Sequence, residues 1–175
     1  FHITQSFLRL MAPFLSFTAE EAWKIFAHNT NSKDTIFTEE FHTLPSIQDG
    51  ARLITKWQRI REMRSDITKA IEHEREAGHV GSSLQAEIHI QASSSDAQLL
   101  KSLGDDLKFI TITSSATVEE ANVTEISVSV KSSAHQKCGR CWHYRDDVGH
   151  DSQHPDLCGR CTTNLFGPGE KRQAA

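Results

Sequence analysis

Cys138-Gly139-Arg140-Cys141 and Cys158-Gly159-Arg160-Cys161 spell one tetrapeptide twice, and the stretch from Trp142 to Leu157 between them sets the pattern C-x2-C-x16-C-x2-C. A C-x-x-C turn brings two thiolates to one point in space, and two such turns close the tetrahedral sulfur shell that structural zinc prefers. Glycine at the second position of each turn suits a tight knuckle, whose amides must face the sulfurs. Four thiolates around Zn²⁺ leave a net charge of −2, which Arg140 and Arg160, one in each knuckle, are placed to offset. Two disulfides or a redox pair are the competing readings of the same residues. No signal-peptide pattern opens the chain, a chain of 175 residues can bury a real core, and redox motifs rarely come as matched pairs. The expectation is one structural zinc, held by Cys138, Cys141, Cys158 and Cys161 in a closed shell with no catalytic position. His143, His150 and His154 lie inside the loop and could compete as ligands, but with four cysteines at zinc spacing they are expected to face solvent or a partner.

Upstream of this module the chain reads first as helices and then as a small mixed unit. Ile3, Phe7, Leu8, Leu10 and Met11 have helical spacing, which Pro13 interrupts. Thr18-Ala19-Glu20-Glu21 reads as a capping box that starts a second helix carrying Ala22, Trp23, Ile25 and Phe26. A turn is expected at Asn31–Asp34, then a short extended piece from Ile36 to Leu44. A long helix follows from about Ser46 to Glu76, with Ile47, Leu53, Ile54, Trp57, Ile60, Ile67 and Ile71 as its buried stripe. Its other faces hold Arg52, Lys56, Arg59, Arg61 and Arg64 against the single acid Glu62, the densest positive stretch in the chain. That stretch suits either a solvated helix face or a phosphate contact. Gly78 and Gly81 stop the helix. Ala86–Gln91 alternates as a strand does, Ser93–Asp96 caps a short helix through Leu103, and Leu107–Thr113 and Ile126–Val130 read as two more strands. Lys131–Gln136 is a polar linker into the cysteine module, and the tail after Phe166 is expected to fray.

The fold class is therefore α+β in several units: a partial helical bundle over residues 1–79, a small α+β junction domain over 80–132, and a four-cysteine zinc finger over 133–175. A net charge of −4 and a pI near 6.2 argue against a globally basic nucleic-acid coat but leave room for a local basic face. No apolar run approaches transmembrane length, so no membrane partner is expected. Cysteine usage favours a reducing cytoplasm. The chain opens at Phe1 directly in helical pattern, so a piece of a longer protein is expected, with some of Phe7, Leu8 and Met11 left partly exposed.

Three segments resemble a known family. Ala12-Pro13-Phe14-Leu15-Ser16-Phe17-Thr18-Ala19-Glu20-Glu21-Ala22-Trp23 resembles the A-P-[IF]-[LM]-P-F-[TI]-[AS]-E-E-[IL]-W signature in the anticodon-binding helical domain of the synthetases for isoleucine, valine and leucine. Ser16 departs from it, where a second proline is usual. Trp57, Arg61, Lys69-Ala70-Ile71-Glu72, Arg75 and Gly81-Ser82-Ser83-Leu84-Gln85-Ala86-Glu87 match the same group. The third segment is Cys138-Gly139-Arg140-Cys141-Trp142, then His154-Pro155-Asp156-Leu157-Cys158-Gly159-Arg160-Cys161, then Asn164-Leu165-Phe166-Gly167-Pro168-Gly169-Glu170. It resembles the C-terminal zinc finger of bacterial isoleucyl-tRNA synthetases. The cysteine-rich tail counts against the valine and leucine enzymes.

What the resemblance implies is the tRNA-recognition side of isoleucine–tRNA ligase, the anticodon arm of tRNA(Ile) as partner, and a monomeric parent that uses ATP. The chain has neither H-I-G-H nor K-M-S-K-S, so ATP belongs to a catalytic domain it does not contain, and no residue here is expected to be catalytic. Unstacked anticodon bases are held on aromatic and guanidinium planes. This points to Trp142 and Tyr144, flanked by Lys137 and Arg145, with Arg52, Lys56 and Arg59 offered to phosphates; DNA is not the expected partner. Two other readings stand beside this one. A DNA-repair glycosylase carries a similar finger, but it would need a catalytic N-terminal proline or a helix-two-turn-helix. A zinc-stabilised interaction module would have no nucleic-acid partner at all.

Overall fold

The computed structural model describes residues 1–28 and 35–170, and divides the chain into two compact units, Phe1–Gly50 and Ala51–Ala175. Helix and strand are mixed, as the α+β reading requires.

In the first unit, α1 (His2–Met11) and α2 (Ser16–His28) pack through Leu8, Ala12, Ala19, Trp23 and Ala27, with Ile36 closing the cluster. The start of α2 corrects the expected capping box. The helix begins at Ser16, two residues before Thr18, after a tight turn over residues 12–15: the Leu15 amide donates to the Met11 carbonyl at 2.8 Å, and the Ser16 hydroxyl donates to the Ala12 carbonyl at 3.0 Å. Glu20 instead holds the chain that follows α2. Its carboxylate accepts from the Thr35 hydroxyl at 2.8 Å and from the Ile36 amide at 2.9 Å. The expected extended piece is a single 3-10 turn, Ile36–Thr38, followed by irregular chain; the turn expected at 31–34 lies outside the described residues. Leu8 is buried and Met11 half-buried, but Phe7, Phe14 and Phe17 are exposed.

The second unit is built on α3 (Gly50–Glu76), which starts four residues later than expected. Ile60, Met63, Ile67 and Ile71, spaced by three, four and four, make one buried stripe. Trp57 is the most N-terminal α3 residue packed against this core. Ile47, Leu53 and Ile54, expected to continue the stripe, are exposed: periodicity reveals an apolar face, not whether anything covers it.

A three-stranded sheet lies against that stripe in the order β2-β1-β3, with β1 (Ala86–Ala92) central. β2 (Ser115–Glu120) runs parallel to it and β3 (Ser127–Ser132) antiparallel. Ala86, Ile88, Ile90 and Ala92 point to the core, and Glu87, His89 and Gln91 alternate with them on the other face. The parallel β1–β2 pair requires a crossover, supplied by α4 (Ser94–Lys101) and α5 (Leu107–Thr111). Ser93 caps α4 through the Asp96 amide.

The strand expected at Leu107–Thr113 is not there; α5 occupies most of it. Its β-branched residues suggest a strand, but tertiary context decides. Leu107 plugs the core, Lys108 is buried beside Asp105, and the Thr111 hydroxyl bonds back to the Leu107 carbonyl at 3.0 Å. Ile112 ends the helix in a left-handed conformation at φ 57. The expected polar linker after β3 is short and pinned: Ser133 is buried, and its amide donates to the Gln85 carbonyl at 2.8 Å. Among the described residues, no helix is long and apolar enough to cross a membrane.

Candidate metal centre and nucleic-acid surface

β4 (Gln136–Lys137) and β5 (Tyr144–Arg145) form a two-stranded ribbon, with Lys137 opposite Tyr144. The first knuckle is the loop of this ribbon. The Cys138 amide donates to the His143 carbonyl at 2.9 Å, and the Trp142 amide to the Cys138 carbonyl at 3.0 Å. The second knuckle opens α6 (Gly159–Phe166), the Thr162 amide bonding back to the Cys158 carbonyl at 3.0 Å. Asp147, which the sequence did not single out, fixes the two halves. Its carboxylate accepts from the Gly159 amide at 3.1 Å and from the Arg145 guanidinium at 2.9 and 3.3 Å.

The four sulfurs of Cys138, Cys141, Cys158 and Cys161 lie within 4.8 Å of one another. A tetrahedral zinc with Zn–S of about 2.3 Å needs sulfur–sulfur edges of about 3.8 Å; Cys141 and Cys158 stand 3.7 Å apart. The Cys158 amide donates to the Cys138 sulfur at 3.3 Å, and Arg140 reaches across to the Cys161 sulfur at 3.7 Å. Burial raises the Cys138 thiol pKa, but the amides of Cys141, Cys158 and Arg140 outweigh it and bring it down to about 6. Burial pushes Cys141 and Cys158 upward. A divalent ion would hold all four sulfurs as thiolates. The donor set fits a structural zinc, and the cysteines hold no disulfide.

Arg160 does not share Arg140's task in the expected way. It pairs with Glu170 at 2.5 and 2.8 Å, and its guanidinium lies 4.6 Å over the ring of Phe109. The Glu170 pair corrects the expectation of fraying for residues 167–170: the chain is docked there through Glu170, whose amide also donates to Asn164 at 2.7 Å, while residues 171–175 lie outside the described residues. The histidines of the loop stay outside the sulfur cluster. His154 stacks on Phe166 at 3.9 Å, and the His143 ring meets Phe109 edge-on at 5.4 Å.

Trp142 follows the fourth residue of the first knuckle in the left-handed region, at φ 66. A bulky side chain rarely adopts that geometry. Here the knuckle turn imposes it, and the indole is left 58% exposed. Lys137 sets its ammonium 5.7 Å from the ring centroid, within cation–π range. Of the expected finger contacts, then, Trp142 and Lys137 come together at the surface. Tyr144 and Arg145 are half-buried, and Arg145 is committed to Asp147.

On α3 the basic stretch divides. Arg59 donates to both oxygens of Asp96 at 2.9 and 2.7 Å and to Glu62 at 2.9 Å, and Arg64 donates to the Ile110 carbonyl at 2.7 Å. Both hold α3 to the α+β unit. Arg52 and Arg61 are exposed and Lys56 half-exposed.

Comparison with known proteins matches two segments of the chain. Residues 1–90 match the family described as the anticodon-binding domain of tRNA ligase, and residues 136–164 match a zinc finger found in FPG and IleRS. The finger alone does not choose between those two protein groups; the first 90 residues do. Isoleucine–tRNA ligases are similar over essentially the whole chain. The protein of Cupriavidus necator is 55% identical over 177 residues, that of Paraburkholderia phytofirmans 56% over 176, and that of Bordetella pertussis 51% over 179. The chain covers 18%, 18% and 19% of the length of these relatives. With an anticodon-domain match over half its length and a four-sulfur finger behind it, this chain belongs to the family of tRNA-ligase anticodon-binding domains.

Proposed function

We propose that the chain is the tRNA-recognition side of an isoleucine–tRNA ligase, and that its partner is the anticodon arm of tRNA(Ile). In this reading the longer protein is a cytoplasmic monomer that activates isoleucine with ATP in a region outside these residues. One zinc, held by Cys138, Cys141, Cys158 and Cys161, shapes the finger, and the finger and the basic stretch of α3 contact RNA, not DNA. The three units of residues 1–79, 80–132 and 133–175 remain the proposed functional division.

The observation that carries the reading is Trp142, an exposed indole on the turn that follows the first pair of clustered sulfurs, with Lys137 beside it. An aromatic face held in place can stack an unpaired base without first being ordered. Lys137, Arg52 and Lys56 supply phosphate contacts, which position the RNA without reading its sequence. Tyr144 and Arg145 support the turn behind Trp142. Arg59, neutralised by Asp96 and Glu62, contributes less than the other cations.

The test is binding of the zinc-loaded chain to a tRNA(Ile) transcript, beside one with an altered anticodon. Trp142→Ala should cost ~1–3 kcal/mol with tRNA(Ile). Arg52→Ala should weaken both transcripts about equally and flatten the salt dependence. Unchanged affinity in Trp142→Ala, or binding that does not fall with salt, would leave the finger an interaction module without an RNA role.

A further inference from the structure

The finger is attached to the α+β unit at a few points, and these converge on the residues beside Trp142. Phe109 on α5 is gripped by one residue from each knuckle region: the His143 ring meets it edge-on at 5.4 Å with an interplanar angle of 77°, and the Arg160 guanidinium covers it at 4.6 Å. Arg160 lies between the ligands Cys158 and Cys161, and His143 follows Trp142 directly. A second tether lies one residue further on. The Tyr144 amide donates to the Ser114 hydroxyl at 2.6 Å, and that hydroxyl donates to the Leu84 carbonyl at 2.5 Å. Ser114 is itself buried, and its amide is held by the Ala86 carbonyl at the start of β1. The turn that carries Trp142 is thus fixed on one side by the hydrogen bond from its amide to the carbonyl of Cys138, a member of the sulfur cluster, and on the other by the sheet.

Resting on the reading of Trp142 as the base-stacking residue, we propose that Phe109 and Ser114 are positioning residues for the RNA contact. Neither is a metal ligand or an RNA-contacting residue. Together they make the α+β unit a base plate that holds the finger at one orientation, so that the Trp142 face and the basic stretch of α3 meet one RNA at the same time. A finger free to turn on its linker would have to be ordered at each binding event, and affinity would fall although every contacting side chain was intact.

The experiment uses the full zinc-loaded chain and three readouts: zinc content, ¹⁵N relaxation of amides in residues 138–166 against those in 86–132, and affinity for a tRNA(Ile) transcript. The unsubstituted chain should show one correlation time for both regions. Phe109→Ala should keep its zinc, give the finger a shorter correlation time, and weaken RNA binding about 3- to 10-fold. Phe109→Tyr, which retains a ring under Arg160, should restore both motion and affinity. Ser114→Ala, which removes the second tether without touching the first, should shift both readouts in the same direction. Independent tumbling of the finger in the unsubstituted chain would overturn the proposal. So would unchanged affinity in both Phe109→Ala and Ser114→Ala while Trp142→Ala still weakens binding. If Trp142→Ala has no effect either, the stacking reading itself has failed, and the positioning role falls with it.

Discussion

Removing the metal should unfold the finger and spare the rest of its unit. Apart from the four cysteines, the finger's cluster has one buried apolar side chain, Val148, and a half-buried Leu157. Burying two such side chains contributes about 3–5 kcal/mol, whereas apparent zinc binding in small fingers amounts to ~10–16 kcal/mol. The metal dominates by a factor of about three, so the ribbon and α6 should not persist without it. The α+β core has no need of it: Ile60, Met63, Ile67, Ile71, Ile88, Ile90, Leu100 and Leu107 form a cluster distinct from that of the cysteines. Hydrogen exchange read by mass spectrometry on peptides of the chain, before and after a chelator, separates the two. Peptides from residues 136–166 should lose their protection, while those from 60–71 and 86–92 keep it. Cys158→Ser should reproduce the pattern and lower bound zinc from one ion per chain to none. Persistent protection of the finger peptides in metal-free protein would refute the reasoning.

Two further outcomes follow from the same packing. The two hydrogen bonds from Arg59 hold the Asp96 carboxyl below the usual carboxylate range against the opposing effect of burial. A depressed folded-state pKa stabilises above the unfolded value, near 3.9, and that contribution is lost as pH falls through the folded value. Because Arg59 is half-exposed, screening limits the effect: Asp96→Asn should cost about 1 kcal/mol at pH 7. In urea unfolding, the gap between variant and parent should close below about pH 4; a gap unchanged at low pH would show that the ion pair is not its source. In the first unit, Phe17 and Phe14 are 92% and 83% exposed. Apolar surface of this kind drives association, so the chain should self-associate with rising concentration in sedimentation velocity, and Phe14→Ser with Phe17→Ser should weaken that association several-fold. Concentration-independent monomer in the unsubstituted chain would count against it.

The metal centre was legible in the sequence because its geometry is local: two turns at fixed spacing bring four sulfurs together whatever surrounds them. β1 was legible for a related reason, since strict alternation over Ala86–Gln91 leaves little choice of face. α5 was not. The Ile110-Thr111-Ile112-Thr113 run has the composition of a strand, yet the chain is helical through Thr111, with Leu107 in the core and Lys108 buried and paired with the exposed Asp105. The start of α3 and the residues just before it misled in another way. Ile47, Leu53 and Ile54 have the right spacing for a buried stripe, but burial depends on a partner that spacing does not encode. Arg59 and Arg64 looked like solvent-facing cations because their acceptors, Asp96 and the Ile110 carbonyl, lie 37 and 46 residues away in sequence. Phe109 and Ser114 carry no motif at all; a half-buried phenylalanine and a buried serine acquire meaning only once the finger is seated on them.

The backbone geometry of Trp142 sets two demands against each other. A left-handed φ at the end of a knuckle suits glycine, and a large aromatic side chain there costs of order 1–3 kcal/mol. Trp142→Gly would therefore ease the turn while deleting the ring that faces solvent. A search for thermostable variants of this chain that scored melting temperature alone would be drawn toward that substitution and would select away the proposed recognition surface. The position is a trade-off between durability and use, and selection for stability should be paired with an RNA-binding screen wherever residue 142 is allowed to vary.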